Sequence, residues 1–147
     1  MTAITTPRFN TDRQDGEVLS FKISNVKIVE GALVSINADG YAISSTDTAS
    51  TYFAGVAEET VDNTGGSAGD LEIKVRTGGV IQVAAGFTAA QANVGDEVFV
   101  EDNATVDVAG GLTNDVYVGR IVTVVSASTL RVALTPFGAK TSDLDVS

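Results

Sequence analysis

The sequence predicts an all-β fold, a small single-domain β-barrel or β-sandwich of about ten short strands with one short helical turn and an extended N-terminal arm. Three observations predict it. The apolar residues are mostly Val, Ala, Ile and Leu mixed with Thr and Gly, and only two Pro occur in 147 residues. Several runs alternate apolar and polar residues, the period of a half-buried strand. Gly, Asn and Asp punctuate those runs about every ten residues, the spacing of an all-β domain.

Residues 1–16 show neither a period of 2 nor one of 3.6, and Ile4, Pro7 and Phe9 stand isolated among polar neighbours. This stretch reads as an extended arm. It is either a loose terminus or a segment that orders on a partner through Ile4, Pro7, Arg8, Phe9 and Arg13, with Ile4 and Phe9 as apolar anchors and Arg8 and Arg13 as charges. The β domain is expected over 17–136, followed by a polar, acidic tail at 137–147.

From Glu17, residues Leu19, Phe21 and Ile23 alternate with Ser20, Lys22 and Ser24, and Val26 and Ile28 continue the strand. Leu33 to Ile36 and Tyr41 to Ser44 flank Asn37-Ala38-Asp39-Gly40, a hairpin with glycine where a positive φ is wanted. Ser45 to Ser50 is a polar loop. In Tyr52 to Ala57 the small Ala54 and Gly55 let a neighbour approach closely. Thr60 to Gly69 is glycine-rich and reads as an exposed loop tip.

Residues Asp70 to Val100 form the centre of the expected core. Leu71, Ile73 and Val75 alternate with charged residues, Gly78-Gly79 reads as a hairpin turn, and Val80 to Ala84 reads as a strand that is central or covered on both faces. Thr88 to Asn93 is the one helical candidate, with Thr88 as N-cap. Glu97 to Glu101 is a strand after the Gly95-Asp96 turn, and a short polar strand ends at Gly110-Gly111. Val116 to Val125 is the most apolar run. Apolar residues on both faces predict that another subunit covers it, through Val116, Val118, Ile121, Val122 and Val124. Leu130 to Leu134 returns, and Pro136 ends the ladder because it lacks an amide donor.

Composition excludes much chemistry. The chain has no Cys and no His, which removes disulfides, thiolate ligands, cysteine nucleophiles and imidazole bases. A formal charge of −10 opposes a phosphate backbone, so nucleic acid is not an expected partner. The start is different: residues 1–27 hold four basic and three acidic groups, and the rest hold five basic and sixteen acidic. No apolar run is long enough for a signal peptide or a membrane span, and a product of the cytoplasm without membrane attachment is expected.

The motifs that could carry chemistry reduce to turn chemistry. Gly65-Gly66-Ser67-Ala68-Gly69 has the form of a nucleophile elbow, but such an elbow needs a strand before it, a helix after it and a histidine. Asp62, Asn63 and Asp70, or Asp102, Asn103 and Asp107, offer oxygen atoms to a cation without the spacing of a calcium loop. Glu58 and Glu59 are adjacent on an extended chain and point to opposite faces. No catalytic residue, cofactor or metal ligand is therefore assigned.

The order of motifs is more telling than any single one. Gly55-Val56-Ala57, Gly79-Val80, Val94-Gly95-Asp96-Glu97-Val98-Phe99, Val118-Gly119-Arg120-Ile121 and Leu130-Arg131-Val132-Ala133-Leu134 follow one another. In that order the chain resembles the capsid cement, or head decoration, proteins of tailed bacteriophages, over residues 28 to 134. The resemblance implies a β-rich, non-enzymatic protein on the outside of an icosahedral head. It implies a homotrimer whose partner is the major capsid protein, with the arm reaching that partner. The rival expectation is a surface-displayed ligand- or glycan-binding β module, suggested by the exposed 60–69 loop and the acidic surface.

Overall fold

A computed structural model of the chain describes residues 18–138. The arm residues Ile4, Pro7, Arg8, Phe9 and Arg13 lie outside the described residues, as does most of the tail. The described chain is all-β. Its strands are β1 (Val18–Lys22), β2 (Lys27–Ile28), β3 (Leu33–Ile36), β4 (Ala42–Ser44), β5 (Tyr52–Ala57), β6 (Val61–Asp62) and β7 (Glu72–Arg76), then β8 (Val80–Ala85), β9 (Glu97–Val100), β10 (Thr105–Val108), β11 (Tyr117–Ser126) and β12 (Thr129–Leu134).

The strands separate into two units that divide the chain at residues 77–79. The first is a five-stranded sheet in the order β1-β7-β5-β3-β4, with β2 and β6 paired beside it. It curls until Ile23, just past β1, bridges Ala42 on β4 in parallel. The second is a closed five-stranded barrel in the order β10-β8-β12-β11-β9, completed by the antiparallel pair β9–β10. Closure leaves the barrel no free edge.

Three hairpins follow from local turn chemistry. Between β3 and β4 the Asn37 carboxamide oxygen accepts the amides of Asp39 and Tyr41, each at 3.0 Å, and Gly40 takes a φ of 91°. Asp102 plays the same part between β9 and β10, its carboxylate accepting the Ala104 amide at 2.8 Å. The β11–β12 hairpin turns at Ala127-Ser128, and its ladder ends at Leu134, two residues before Pro136.

Two apolar clusters are buried where one core was expected. One lies inside the first sheet and includes Ile23, Ile28, Val34, Ile36, Ala54, Ile73 and Val75. The other fills the barrel with Val98, Val100, Val106, Val118, Ile121, Leu130 and Val132, and it also takes in Leu33 and Phe53 from the first sheet. Strands β3 and β5 therefore face both ways, because successive side chains of a strand point to opposite faces. Leu33 and Phe53 go to the barrel, and Val34 and Ala54 to the sheet's own interior. A buried hydroxyl pair, Ser35 with Ser45 at 2.7 Å, satisfies the polar groups on this layer.

Four expectations change. Gly78-Gly79 is not a hairpin turn: β7 pairs with β1 and β5, whereas β8 pairs with β12 and β10, so residues 77–79 cross from one unit to the other. Strand β8 is central, between β10 and β12, but it is covered on one face only, and Val80 on its outer face is 48% exposed. The helical piece is a single 3-10 turn, Gln91–Asn93, with Ala90 rather than Thr88 as its cap. The Ala89 amide donates to the Ala127 carbonyl at 2.8 Å, and the turn that follows closes through i→i+3 bonds, Asn93 to the Ala90 carbonyl at 2.9 Å and Val94 to the Gln91 carbonyl at 3.1 Å. Thr60 to Gly69 is largely exposed, as expected, but it is not all loop, since Val61–Asp62 form β6 and the chain after it is anchored. Asn63 is buried, and its side-chain amide donates to the carbonyls of Ser24 and Ser67, both at 3.0 Å.

Two glycines are required by close approach. A Cβ on Gly55, whose φ is 149°, would meet the Arg76 carbonyl, and one on Gly119 would meet the Ala133 carbonyl across the β11–β12 ladder. Backbone has no rotamer with which to yield. Gly119→Ala is therefore expected to lower unfolding free energy by about 1–3 kcal/mol, the usual range for overpacking. Urea denaturation checks this, and an unchanged midpoint would contradict the packing described.

Candidate functional site

The interface residues expected on the last long hairpin divide sharply. Val116, Val118 and Ile121 are at most 6% exposed and belong to the barrel's own core. Their cover comes from inside this chain rather than from another subunit. A strand of a closed barrel is apolar inward, and at the start of β11 Tyr117 is also buried, its ring 5.8 Å from that of the fully buried Phe99, so two-sided apolarity needs no partner there. Val124 packs partly against the same core, and Val122 stands 42% exposed. Val80 and Val125 are also exposed, so apolar side chains reach solvent on β8 and β11, on either side of β12.

Arg120 lies on the exposed face of β11, where its guanidinium donates to the Gly95 carbonyl at 2.9 Å and stands 3.8 Å from the Glu97 carboxylate. At that distance and exposure the ion pair contributes little.

The carboxylates singled out in the sequence serve as acceptors for backbone amides. Asp62 accepts Thr64, Asp70 accepts Ser67, and Glu59 accepts Lys74 from the neighbouring strand. The Asp62 carboxyl is held below its ordinary value, first by the Thr64 hydroxyl and then by the Thr64 amide. Asp107 accepts the Val108 amide at 2.7 Å. Among the described residues no three His, Cys, Asp or Glu side chains are grouped so as to hold a metal. Ser67 is held by the turn that joins it to Asp70, and the segment leads into a strand rather than a helix.

A cleft that the sequence reading did not find opens where the two units meet. It has a volume of about 250 Å³ and is lined by Thr48 to Phe53, omitting Ala49, by Asn114 to Tyr117, and by Gly138. Asp47 builds it. Its carboxylate accepts the amides of Thr113 and Asn114, each at 2.9 Å, and the Asn114 side chain donates back to the Asp47 carbonyl at 2.9 Å. These three bonds fasten the loop before β5 to the loop before β11.

The polypeptide around the cleft is unusual. Ser50, Asp115 and Phe137 have φ of 62°, 50° and 58°, and they are the non-glycine residues with positive φ among those described. Such conformations are uncommon and cluster at places where surrounding structure imposes them. The Phe137 amide donates to the Phe53 carbonyl at 2.8 Å. Its ring lies between Phe21 and Tyr52, with centroids 6.2 and 6.3 Å away. Phe137 is 51% exposed and Tyr52 58%, so an aromatic patch faces solvent beside the cleft.

No family model matches the chain, and no curated protein matches it by sequence. No helix among the described residues is long and apolar enough to cross a membrane.

Asp47→Ala should release the loop ahead of β11 while leaving both cores packed. Amide hydrogen exchange at Thr113 and Asn114 is expected to accelerate at least ~10-fold. Global stability should fall by about 1–2 kcal/mol, since water reaches the freed amides. Unchanged exchange at those two amides would show that Asp47 does not hold the loop.

Proposed function

We propose that the protein is a structural, non-enzymatic component of a virion. In this reading it binds the outer surface of an icosahedral phage head as a homotrimer, cements neighbouring subunits of the major capsid protein, and docks through its N-terminal arm. The reading rests on the ordered motifs from Gly55-Val56-Ala57 to the Leu130–Leu134 strand. Two of their glycines are the close-approach positions on β5 and β11.

The observation that carries the docking part is the placement of the two ends of the described chain. Phe21, three residues from the first described residue, touches Phe137, one residue from the last. Residues 1–17 and 139–147 are thus joined to the body at one side of it. A trimer with its arms attached on a common side meets a repeating surface at three points at once, and avidity multiplies weak individual contacts. Contact between subunits would draw on the exposed Val80, Val122 and Val125 rather than on the buried valines of β11.

Adding the protein to expanded heads that lack it is expected to raise their melting temperature in calorimetry. Heads that neither bind it nor gain stability would overturn the proposal. Removing residues 1–16 should leave the circular dichroism spectrum and the sedimentation mass unchanged and weaken binding to heads by at least ~10-fold. Equal binding by the truncated protein would remove the arm from the mechanism.

A further inference from the structure

We propose that the cleft between the loop before β5 and the loop before β11 binds one unit of a neutral saccharide, stacked on the ring of Tyr52. A pyranose presents a ring of hydroxyl groups and an apolar face of C–H bonds. Recognition needs donors and acceptors in a plane and an aromatic ring exposed beside them.

The cleft supplies both. Its lining includes Thr48, Ser50, Thr51, Asn114 and Asp115, and among the described residues no Lys or Arg contributes to it. Among the described residues, the Ser50 hydroxyl, the Tyr52 hydroxyl and the Asn114 carboxamide oxygen have no hydrogen-bond partner. The Thr51 hydroxyl, by contrast, is spent on the Thr48 carbonyl at 2.8 Å, which shapes the loop. Tyr52 at 58% exposure and Phe137 at 51% present large apolar surfaces to water at the rim. Aromatic rings with one wet side and a polar tip are characteristic of binding surfaces.

The geometry is also fixed in advance. Asp47 ties the two walls together through three hydrogen bonds. Ser50 and Asp115 hold positive φ on opposite walls, and Phe137 does so beside Gly138 at the end of the cleft. Strain gathered around one cavity in a protein whose other turns use glycine for positive φ points to a constraint other than folding. Preorganised walls reduce the ordering cost of binding.

Charge and size narrow the ligand class. Two carboxylates, Asp47 and Asp115, stand at the walls, and the chain carries −10 overall, so sialylated or phosphorylated sugars are disfavoured. At about 250 Å³ the cleft falls just below the volumes that enclose drug-sized molecules. It has room for a single residue of a longer chain. The site does not depend on capsid binding and is tested on the free protein.

The test is saturation-transfer and amide-shift NMR on the full chain with the methyl glycosides of glucose, galactose, mannose and N-acetylglucosamine, and with N-acetylneuraminic acid as the anionic comparison. At least one neutral glycoside is expected to bind with a millimolar Kd and to shift the amides of Ser50, Tyr52 and Asn114. Tyr52→Ala should weaken that binding at least ~10-fold at unchanged melting temperature, while Tyr52→Phe keeps it within about threefold because the ring face remains. Ser50→Gly should preserve or raise the melting temperature and still weaken binding, since it removes a hydroxyl and relieves the backbone. Absence of any neutral-glycoside shift up to about 50 mM, a shift that persists in Tyr52→Ala, or tighter binding of the anionic sugar would each overturn the proposal.

Discussion

Everything in this molecule depends on β3 and β5 serving two cores at once. Leu33 and Phe53 close the barrel's apolar interior, and Val34 and Ala54 close that of the sheet. Strand β3 is accordingly buried along its whole length, and β5 opens fully to solvent only at its first residue, Tyr52. The layer also has to let neighbouring backbone come close, which is why Gly55 lies under the Arg76 carbonyl and why the hydroxyls on the layer pair with each other. The hydrophobic effect here is organised as two small buried volumes sharing a wall, and damage to the wall costs both.

Backbone and side-chain bonds tie the units together at several points around that wall. The Leu33 amide reaches the Asn103 carbonyl at 2.8 Å, Asp47 grips Thr113 and Asn114, and the Phe137 amide reaches Phe53. Each joins a segment of the first unit to a turn or end of the second. The cleft is the space left between two of these ties, so its walls are held by the same bonds that hold the halves in register.

What was legible in the sequence is what short-range chemistry decides. The Asn37–Gly40 turn, the hairpin through Asp102-Asn103 and the strand stop before Pro136 all follow from residues within a few positions of one another. Pairings between distant segments were not legible. Gly78-Gly79 carries the same turn signal whether the chain doubles back or crosses over, and only the partners of β7 and β8 decide between the two. Val116, Val118 and Ile121 suggested an external partner because apolarity on both faces of a strand cannot tell cover by the rest of the same chain from cover by another subunit. The cleft was invisible for a related reason: Asp47 and Asn114 are ordinary turn residues until folding brings them together across more than sixty positions. Asn63 looked like one more polar residue of a glycine loop, yet it is the buried centre of that loop.

The crossover at residues 77–79 has a consequence for how the chain comes into being. All ladder pairings lie either before it or after it, and none of them connects the two halves. A chain emerging from the ribosome can therefore complete the first sheet's hydrogen bonding before the barrel strands have left the exit tunnel, keeping loop-closure distances short during synthesis. What that nascent half lacks is the cover for Leu33 and Phe53. For the time it takes to translate the second half those two side chains form the sticky face of an otherwise finished unit, and the barrel assembles with an apolar surface already waiting for it.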